Sequence, residues 1–274
     1  MSINNLSFLK REVDIAVADW ALRQSFFGDI GKAIFYALDG GKRLRPIMLL
    51  IANNVVGGNF DEALPFAVGI ELIHNYSLVH DDMPCMDNDD LRRGIPTVHK
   101  KFGEWQALLT GDALLNGAYE YMLENANTEF KIKAMKIIAS CAGIGGMIYG
   151  QYLDLNLKNL NEFDLDVVNK YKTGKLFTGS LEAGAVLANA DNDTIAILKS
   201  FGDYFGQAFQ IADDISDVLD GKDAKLLQYN YANVFGLEIA KRDLKQNIDN
   251  ALLAIKPLQN SEPLIELLST IKCC

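Results

Sequence analysis

The sequence predicts an all-α fold, and two observations support this. Apolar residues recur at helical spacing along almost the whole chain, whereas the alternation typical of strands is almost absent. The 274 residues include six prolines and no low-complexity linker, so no domain boundary is indicated. We therefore expect residues 1–274 to form a single helical bundle, which is large for one core but within the range of an all-α domain.

Composition and charge narrow the classes of function. Hydrophobic residues make up 49% and charged residues 23%, which is ordinary for a soluble globular protein. The net charge of -10 argues against a nucleic-acid partner, because phosphate backbones require a basic surface. We find no apolar run long enough to cross a bilayer and no basic-then-apolar leader. The sequence therefore predicts a cytoplasmic protein without a membrane span.

The four cysteines indicate neither a metal site nor a set of disulfides. Their spacing fits neither a metal site nor a secreted disulfide framework: Cys85, Cys141, Cys273 and Cys274. We interpret them as thiols of a reducing compartment. The terminal pair could be a lipidation site, but a frayed C-terminal tail is the favoured interpretation.

A basic turn follows the first helical stretch. That stretch ends near Asp39-Gly40-Gly41, where glycine can adopt positive φ. Pro46 suits the first turn of the next helix. If the intervening turn is helical, Lys42 and Arg45 are three apart and project together. The pair could bind an anion or could be a solvated helix start, and the spacing leaves both open.

The segment His74–Gly94 is the richest in chemistry. It carries five aspartates and two arginines: Asp81, Asp82, Asp87, Asp89, Asp90, Arg92 and Arg93. An apolar helix delivers the first two aspartates, and Pro84 stops that helix. Crowded carboxylates stay ionised together only around a positive charge. Oxygen ligands favour Mg²⁺, which shares its shell with substrate phosphates, although a solvated acidic loop is the alternative.

Two further features lie on predicted helices. His74 precedes Asp81 by seven residues, two helical turns, and so shares its face, although a histidine with an ordinary structural role is the commoner case. Lys172-Thr173-Gly174 interrupts the apolar helix Val167–Leu187. A glycine inside a helix costs about 1 kcal/mol against alanine and often marks a kink. A kink would leave a backbone carbonyl without a helical partner beside Lys172. The alternative is that Lys172 is an ordinary lysine exposed to solvent.

A second acidic motif ends the segment Phe205–Asp217. Gln210, Asp213 and Asp217 are spaced to share one face of a continuous helix. Like charges at this spacing destabilise an isolated helix, and a bridging cation would relieve that repulsion. Two such acidic motifs in one chain are more specific evidence for bound metal than one motif alone.

Taken together, these motifs resemble those of the trans-isoprenyl diphosphate synthase family, most closely its bacterial short-chain farnesyl diphosphate synthases. The resemblance covers roughly Gly40–Asp220. Its ordered elements are Gly-Gly-Lys-Arg-Leu-Arg-Pro, Asp-Asp-x4-Asp through Arg-Arg-Gly, Lys-Thr-Gly, and Phe-Gln-x2-Asp-Asp-x2-Asp. It implies a helical bundle around a deep central cavity, homodimeric in most members, with the acidic motifs facing each other across its mouth.

The resemblance also implies three sets of site residues. Three Mg²⁺ ions would be held by Asp81, Asp87 and Asp213, with further or water-mediated contacts from Asp82, Asp214 and Asp217. The allylic diphosphate would face Arg92, Lys172, Thr173 and Gln210. Isopentenyl diphosphate would be held by Lys42, Arg45, His74 and Arg93.

The implied reaction is a Mg²⁺-dependent prenyl transfer. Isopentenyl diphosphate would be condensed head-to-tail with dimethylallyl or geranyl diphosphate, releasing pyrophosphate. Tyr76, the fifth residue before the first motif, would form the floor of the product pocket and favours farnesyl diphosphate, with fifteen carbons. Geranyl and geranylgeranyl diphosphate are alternative products. A terpene cyclase, which needs no second diphosphate pocket, and a non-catalytic synthase subunit are alternative functions.

Two departures from the family pattern concern closure of the site. The family usually has a longer loop after Asp220, with a lysine where this chain has Gln228. Lys222 or Lys225 could replace that lysine. The C-terminus also lacks the basic ending that some members use to close the site. These departures bear on lid closure and rate more than on fold or reaction class.

Overall fold

The computed structural model describes residues 5–156, 163–221 and 230–271. The predicted all-α fold is confirmed, and the helices are α1 Leu6–Gln24, α2 Asp29–Leu38, α3 Leu44–Val55, α4 Phe60–Asp81, α5 Val98–Phe102, α6 Glu104–Asn125, α7 Glu129–Ala142, α8 Met147–Leu155, α9 Phe163–Asn169, α10 Lys175–Leu187, α11 Asn192–Leu219, α12 Tyr231–Phe235, α13 Leu237–Ile255 and α14 Glu262–Leu268. Lys222, Lys225, Gln228 and the terminal cysteine pair lie outside the described residues.

Helices α3, α4 and α10 form the centre of the bundle. Their apolar residues lie on several sides rather than along one stripe, as expected for buried helices, and Leu49, Leu72 and Leu181 are fully buried. Helix α4 packs against α3 and α6, and α10 packs against α3, α7 and α11. At Gly184 a Cβ would lie 2.2 Å from the carbonyl oxygen of Leu49. The absence of a side chain there lets α10 and α3 cross closely.

Helix α4 ends where the sequence predicts, just before Pro84. Asp82 caps it and donates its backbone N–H to the carbonyl of Leu78 at 3.1 Å. The chain then folds back, and the N–H of Asp87 donates to the carbonyl of Asp81 at 2.8 Å. This bond closes the loop and returns a third aspartate to the end of the helix.

A short hairpin, which the sequence analysis did not predict, follows this loop. Strands β1 Leu91–Arg92 and β2 Ile95–Pro96 are antiparallel. The turn residues Arg93 and Gly94 have φ values of 54° and 79°. Two positive φ values are what a type I′ hairpin turn requires. Strands of two residues are too short to produce a recognisable alternation in sequence.

The segment Glu129–Leu155 is long and apolar enough to cross a membrane by length and composition. The sequence analysis found no such stretch. In the structure the segment is divided between α7 and α8, with residues 143–146 between them. A single stretch of this kind is weak evidence for a membrane span.

The predicted interruption of the helix Val167–Leu187 is confirmed. Residues Lys170–Gly174 form a π-helical turn between α9 and α10. Helix α8 packs against this turn, and a Cβ at Gly150 would lie 2.1 Å from the backbone nitrogen of Lys172. Close backbone contact therefore sets the position of the turn.

This contact generates a prediction about Gly150→Ala. Alanine favours a helix over glycine, but the added methyl group would overlap the backbone of the π-helical turn. We expect a net loss of about 1–3 kcal/mol in the free energy of unfolding, measured by urea titration. Gly145→Ala is the control, since a Cβ there meets nothing within 4 Å. Equal unfolding midpoints for the two variants would contradict the close contact between Gly150 and the π-helical turn.

Candidate active site

A cavity of about 530 Å³ lies between α4, α6, α8 and the π-helical turn. Much of its wall is apolar, including Leu115, Met147 and Leu155. Polar groups gather in the same wall, and the sequence-predicted site residues among them are Arg45, His74, Tyr76, Asp81, Lys172 and Thr173. An apolar cavity with a few convergent polar groups is the usual form of a small-molecule site.

The two aspartates that bracket the loop after α4 are placed unfavourably for negative charge. Burial, helped by the carboxylates of Asp87 and Asp154, raises the pKa of Asp81 to about 7 against the opposing effect of Lys172. Burial also raises the pKa of Asp87, again against Lys172. Asp81 is in addition at the negative end of a helix dipole. A bound cation would relieve this repulsion and favour the ionised carboxylates.

Lys172 supplies part of the missing positive charge. Its ammonium group donates to the carboxylate of Asp154 on α8. Burial alone lowers the pKa of Lys172, but Asp154 and Asp81 outweigh it, and the net pKa is raised. The lysine is therefore held protonated beside Asp81. Asp154 lies 18 residues before Lys172, and nothing in the sequence assigns the two as partners.

The second acidic motif lies on one continuous helix, α11, as predicted. The hydroxyl of Thr173 donates to Oε1 of Gln210 at 3.1 Å, and Nε2 of Gln210 donates to Asp214 at 2.9 Å. Asp214 also accepts the backbone N–H of Tyr231 at 2.8 Å. Burial raises the pKa of Asp214 to about 6, against these two hydrogen bonds. Asp214 thus orients Gln210, a role that the sequence analysis did not foresee.

The other two aspartates of α11 differ from Asp214 in exposure. Asp213 is exposed and Asp217 is half-buried. Among the described residues, no three His, Cys, Asp or Glu side chains lie close enough to form a complete metal site. The donors nevertheless fit Mg²⁺, which often takes only one or two carboxylates and completes its shell with water and substrate phosphates. The metal roles of the six aspartates remain a prediction.

Arg92 and Arg93 do not line the main cavity. Nε of Arg92 donates to the carboxylate of Asp82 at 2.6 Å, and Nη1 of Arg93 donates to the carbonyl of Asp39 at 2.9 Å. Both line a separate crevice of about 40 Å³ that shares Leu78 with the cavity. Arg92 is therefore paired with Asp82, and its charge also lowers the pKa of Asp81 and Asp87, as that of Lys172 does. The role of Arg92 towards the allylic substrate stays a prediction.

Lys42 does not lie in a helical turn, so the condition under which spacing alone would bring it beside Arg45 is not met. The residue after it, Arg43, has a φ of 56°, and α3 begins only beyond Arg43. Lys42 and Arg45 are nevertheless brought together over adjacent rings. The Arg45 guanidinium lies 4.3 Å from the ring centroid of Phe177, and the Lys42 ammonium lies 5.5 Å from that of Phe209. The two rings are 5.3 Å apart.

His74 lies beside this basic pair, and Tyr76 lines the same cavity. Nη1 of Arg45 is 3.3 Å from Nε2 of His74. Burial and Arg45 lower the pKa of His74 well below its usual value, so the neutral imidazole accepts this hydrogen bond. Tyr76 is buried, and its ring lies edge-on to that of His80 at 5.9 Å. Helical spacing alone did not place Tyr76 in the same wall as Asp81.

Comparison with known proteins assigns the chain to one family. The polyprenyl synthetase family model matches residues 29–228. The chain belongs to this family. The family predicted from the sequence motifs is thereby confirmed.

Named relatives and a solved structure show how far the similarity extends. The chain is 38% identical over 241 residues to the farnesyl diphosphate synthase of Micrococcus luteus, covering 83% of each protein. It is 40% identical over 229 residues to geranylgeranyl pyrophosphate synthase 4 of Arabidopsis thaliana, covering 78% of this chain and 62% of the relative. It is also similar to the crystal structure of an FPP/GFPP synthase from Zymomonas mobilis, with 33% identity and a TM-score of 0.85 across 98% of both chains.

The raised pKa of Asp81 yields a prediction for the metal-free protein. The carboxyl titrates near 3.8 when unfolded and near 7 when folded, so between these values only the folded chain retains the proton. The contribution of Asp81 to stability is therefore lost as pH rises from about 4 to about 7, at up to about 1.4 kcal/mol per pH unit. In EDTA, we expect Asp81→Asn to melt above wild type at pH 8, with no such advantage at pH 4.

The control for this experiment is Asp19→Asn, which changes an exposed aspartate of α1. We expect it to melt like wild type at both pH values. A difference between Asp81→Asn and wild type that is the same at pH 4 and pH 8 would contradict the buried, unfavourable carboxylate.

Proposed function

We propose that this protein is a Mg²⁺-dependent trans-prenyltransferase. It condenses isopentenyl diphosphate with dimethylallyl and geranyl diphosphate, giving mainly farnesyl diphosphate and pyrophosphate. The observation that carries the proposal is that Asp81, Lys172 and Thr173 meet at the wall of one largely apolar cavity of about 530 Å³. Such a cavity suits a substrate with a hydrocarbon tail and a charged head, as the names of the relatives also indicate.

The diphosphate head of the allylic substrate would lie beside Asp81, Asp87 and Lys172. These two carboxylates, with Asp213 and Asp217 of α11, would hold Mg²⁺. Bound Mg²⁺ supplies stabilisation of the negative charge that develops on the leaving pyrophosphate. Lys172 adds a fixed positive charge at the same place, because Asp154 and Asp81 keep it protonated. A charge that is already oriented stabilises the transition state more than the bound ester.

The hydrocarbon end of the substrate would be sheltered in the cavity. Breaking the allylic carbon–oxygen bond leaves a carbocation, which water would trap if it had access. The oxygens of Thr173 and Gln210, oriented by their mutual hydrogen bond and by Asp214, would face this cation. The double bond of isopentenyl diphosphate then forms the new carbon–carbon bond, and a proton is lost to the released pyrophosphate. We assign no side chain as the base.

Isopentenyl diphosphate would bind at Lys42, Arg45, His74 and Arg93. Support comes from the placement of Lys42 and Arg45 over adjacent rings, with His74 in contact with Arg45. A cyclase needs only one diphosphate site, so this second basic cluster favours a transferase. A non-catalytic subunit is disfavoured because both acidic motifs are complete in sequence.

Product length, assembly and location complete the proposal. Buried Tyr76 would stop the growing chain at fifteen carbons. We further propose a cytoplasmic homodimer. Large apolar side chains such as Trp105, Ile144 and Leu123 are each more than half exposed, at 68%, 77% and 57%. A subunit interface that covers some of them would remove this apolar surface from water.

The activity is tested by incubation with Mg²⁺, isopentenyl diphosphate and geranyl diphosphate. We expect mainly farnesyl diphosphate by chromatography, with one pyrophosphate released for each condensation. Asp81→Ala and Lys172→Ala should each lower kcat by at least about 100-fold, because each removes charge that acts in the transition state. Their far-ultraviolet circular dichroism should match wild type. Lys133→Ala, at an exposed lysine of α7, is the control and should keep wild-type activity. A wild type that forms no elongated product with any divalent metal would refute the proposed function.

Product length is tested by Tyr76→Ala. Removal of the ring opens the end of the pocket, so we expect products longer than fifteen carbons by chromatography. Tyr121→Ala, a half-buried tyrosine of α6 outside the cavity lining, is the control and should keep the wild-type product. If the two variants and wild type give the same distribution, Tyr76 does not set the length.

A further inference from the structure

A buried arginine lies inside the basic turn before α3. Arg43 separates Lys42 from the start of α3 and is only 5% exposed. Its φ of 56° is in the left-handed region, which is unfavourable for a residue with a long side chain. Neighbouring Lys42 and Arg45 were both assigned to substrate, whereas the proposed reaction gives Arg43 no role. Its conformation must be held by other contacts.

Those contacts come from three different helices. Nε of Arg43 donates to Asp14 on α1 at 2.8 Å, and Nη1 donates to Glu71 on α4 at 2.6 Å. Nη2 donates to the carbonyl of Leu38, the last residue of α2, at 2.5 Å. A planar guanidinium reaches three acceptors in fixed directions, which the single ammonium of lysine cannot do. Arg43 therefore fixes the turn to α1, α2 and α4 together.

Glu71 links this turn to the wall of the active site. It is 1% exposed and lies three residues before His74 on α4. Its Oε1 also accepts Nδ2 of Asn75 at 3.0 Å, while Oε2 is buried without a donor among the described residues. Burial lowers the pKa of Arg45 to about 10, and Glu71 partly offsets this. One buried carboxylate thus lies beneath a group of cations.

The inward direction of Arg43 decides where its neighbours point. With its guanidinium held beneath the turn, Lys42 and Arg45 extend to the rings of Phe209 and Phe177. We propose that Arg43 and Glu71 are positioning residues for isopentenyl diphosphate: their buried ion pair fixes the turn that directs Lys42 and Arg45 at its diphosphate. This inference rests on the proposed function and assigns neither residue a contact with substrate.

The alternative is an ion pair that only stabilises the fold. A buried salt bridge is weak evidence for such a role, because replacing both partners by apolar residues is often neutral or stabilising. Removal of one partner is different, since it leaves an uncompensated buried charge. Both explanations therefore predict that the single variants are less stable than wild type. They differ in whether the KM for isopentenyl diphosphate changes selectively, and in the KM expected of the double variant.

The first test compares Arg43→Lys and Glu71→Gln with wild type in steady-state assays. Arg43→Lys keeps the charge but cannot reach all three acceptors. Glu71→Gln keeps the shape but loses the charge. We expect the KM for isopentenyl diphosphate to rise at least about tenfold, the effect of losing one charge-assisted hydrogen bond. The KM for geranyl diphosphate should stay within about twofold of wild type. Equal changes in both KM values, or none, would overturn the inference.

The second test is the double variant Arg43→Met with Glu71→Leu. Apolar replacement of both partners should return the melting temperature close to wild type. The turn would still lack its contacts to Asp14 and Leu38, so the raised KM for isopentenyl diphosphate should persist. Recovery of both properties would show a purely structural ion pair. If the double variant does not fold, the KM values of Arg43→Lys for the two substrates decide between a positioning role and a purely structural ion pair.

Lys131→Met is the matched control. This lysine of α7 is 9% exposed and bonds to Asn127 and Glu62, away from the basic turn. We expect a lower melting temperature with both KM values unchanged. A wild type that forms no elongated product would overturn both the proposed function and this inference. A wild type that elongates, while Arg43→Lys keeps the wild-type KM for isopentenyl diphosphate, would overturn the inference alone.

Discussion

Two carboxylates at the negative end of a buried helix are the constraint on which the site depends. Asp81 ends α4 and Asp82 caps it, so both add negative charge where the helix dipole already opposes it. Burial raises the pKa of each group. Each carboxylate has a neighbouring cation: Arg92 is paired with Asp82, and Lys172 lies beside Asp81. The remaining imbalance around Asp81 and Asp87 is the physical reason to expect a metal ion there.

Helix packing sets the positions of these charges. Gly150 lets α8 lie against the π-helical turn, which brings Asp154 to Lys172 and Lys172 to Asp81. A few ångströms of helix displacement would separate this chain of charges. At the basic turn, the Arg43–Glu71 ion pair has the corresponding role in the proposal. Both ends of the proposed reaction therefore depend on buried or half-buried polar contacts between helices.

Local features were predictable from sequence, and long-range partners were not. Pro84 ended α4, the glycine at position 174 marked the π-helical turn, and the spacing of Gln210 and its aspartates gave a continuous helix. Gln210 and Asp214 are only four residues apart, so their hydrogen bond was within reach of spacing, but the resemblance assigns Asp214 to the metal instead. Spacing could not show that Asp154 pairs with Lys172, because the two residues are 18 apart in sequence and lie on different helical segments. It also could not show which cation of the basic turn points inward. That direction depends on Asp14 and Glu71, each more than 25 residues away.

The most direct measurement is an X-ray structure of crystals grown with Mn²⁺ and a non-hydrolysable allylic thiodiphosphate. Anomalous scattering would locate the metal independently of the diphosphate. The account predicts manganese bound to carboxylate oxygens of Asp81 and Asp87 and to the diphosphate, with Lys172 in contact with that diphosphate and the hydrocarbon tail in the cavity beside Tyr76. Manganese or diphosphate bound elsewhere, with these two carboxylates unliganded, would contradict it.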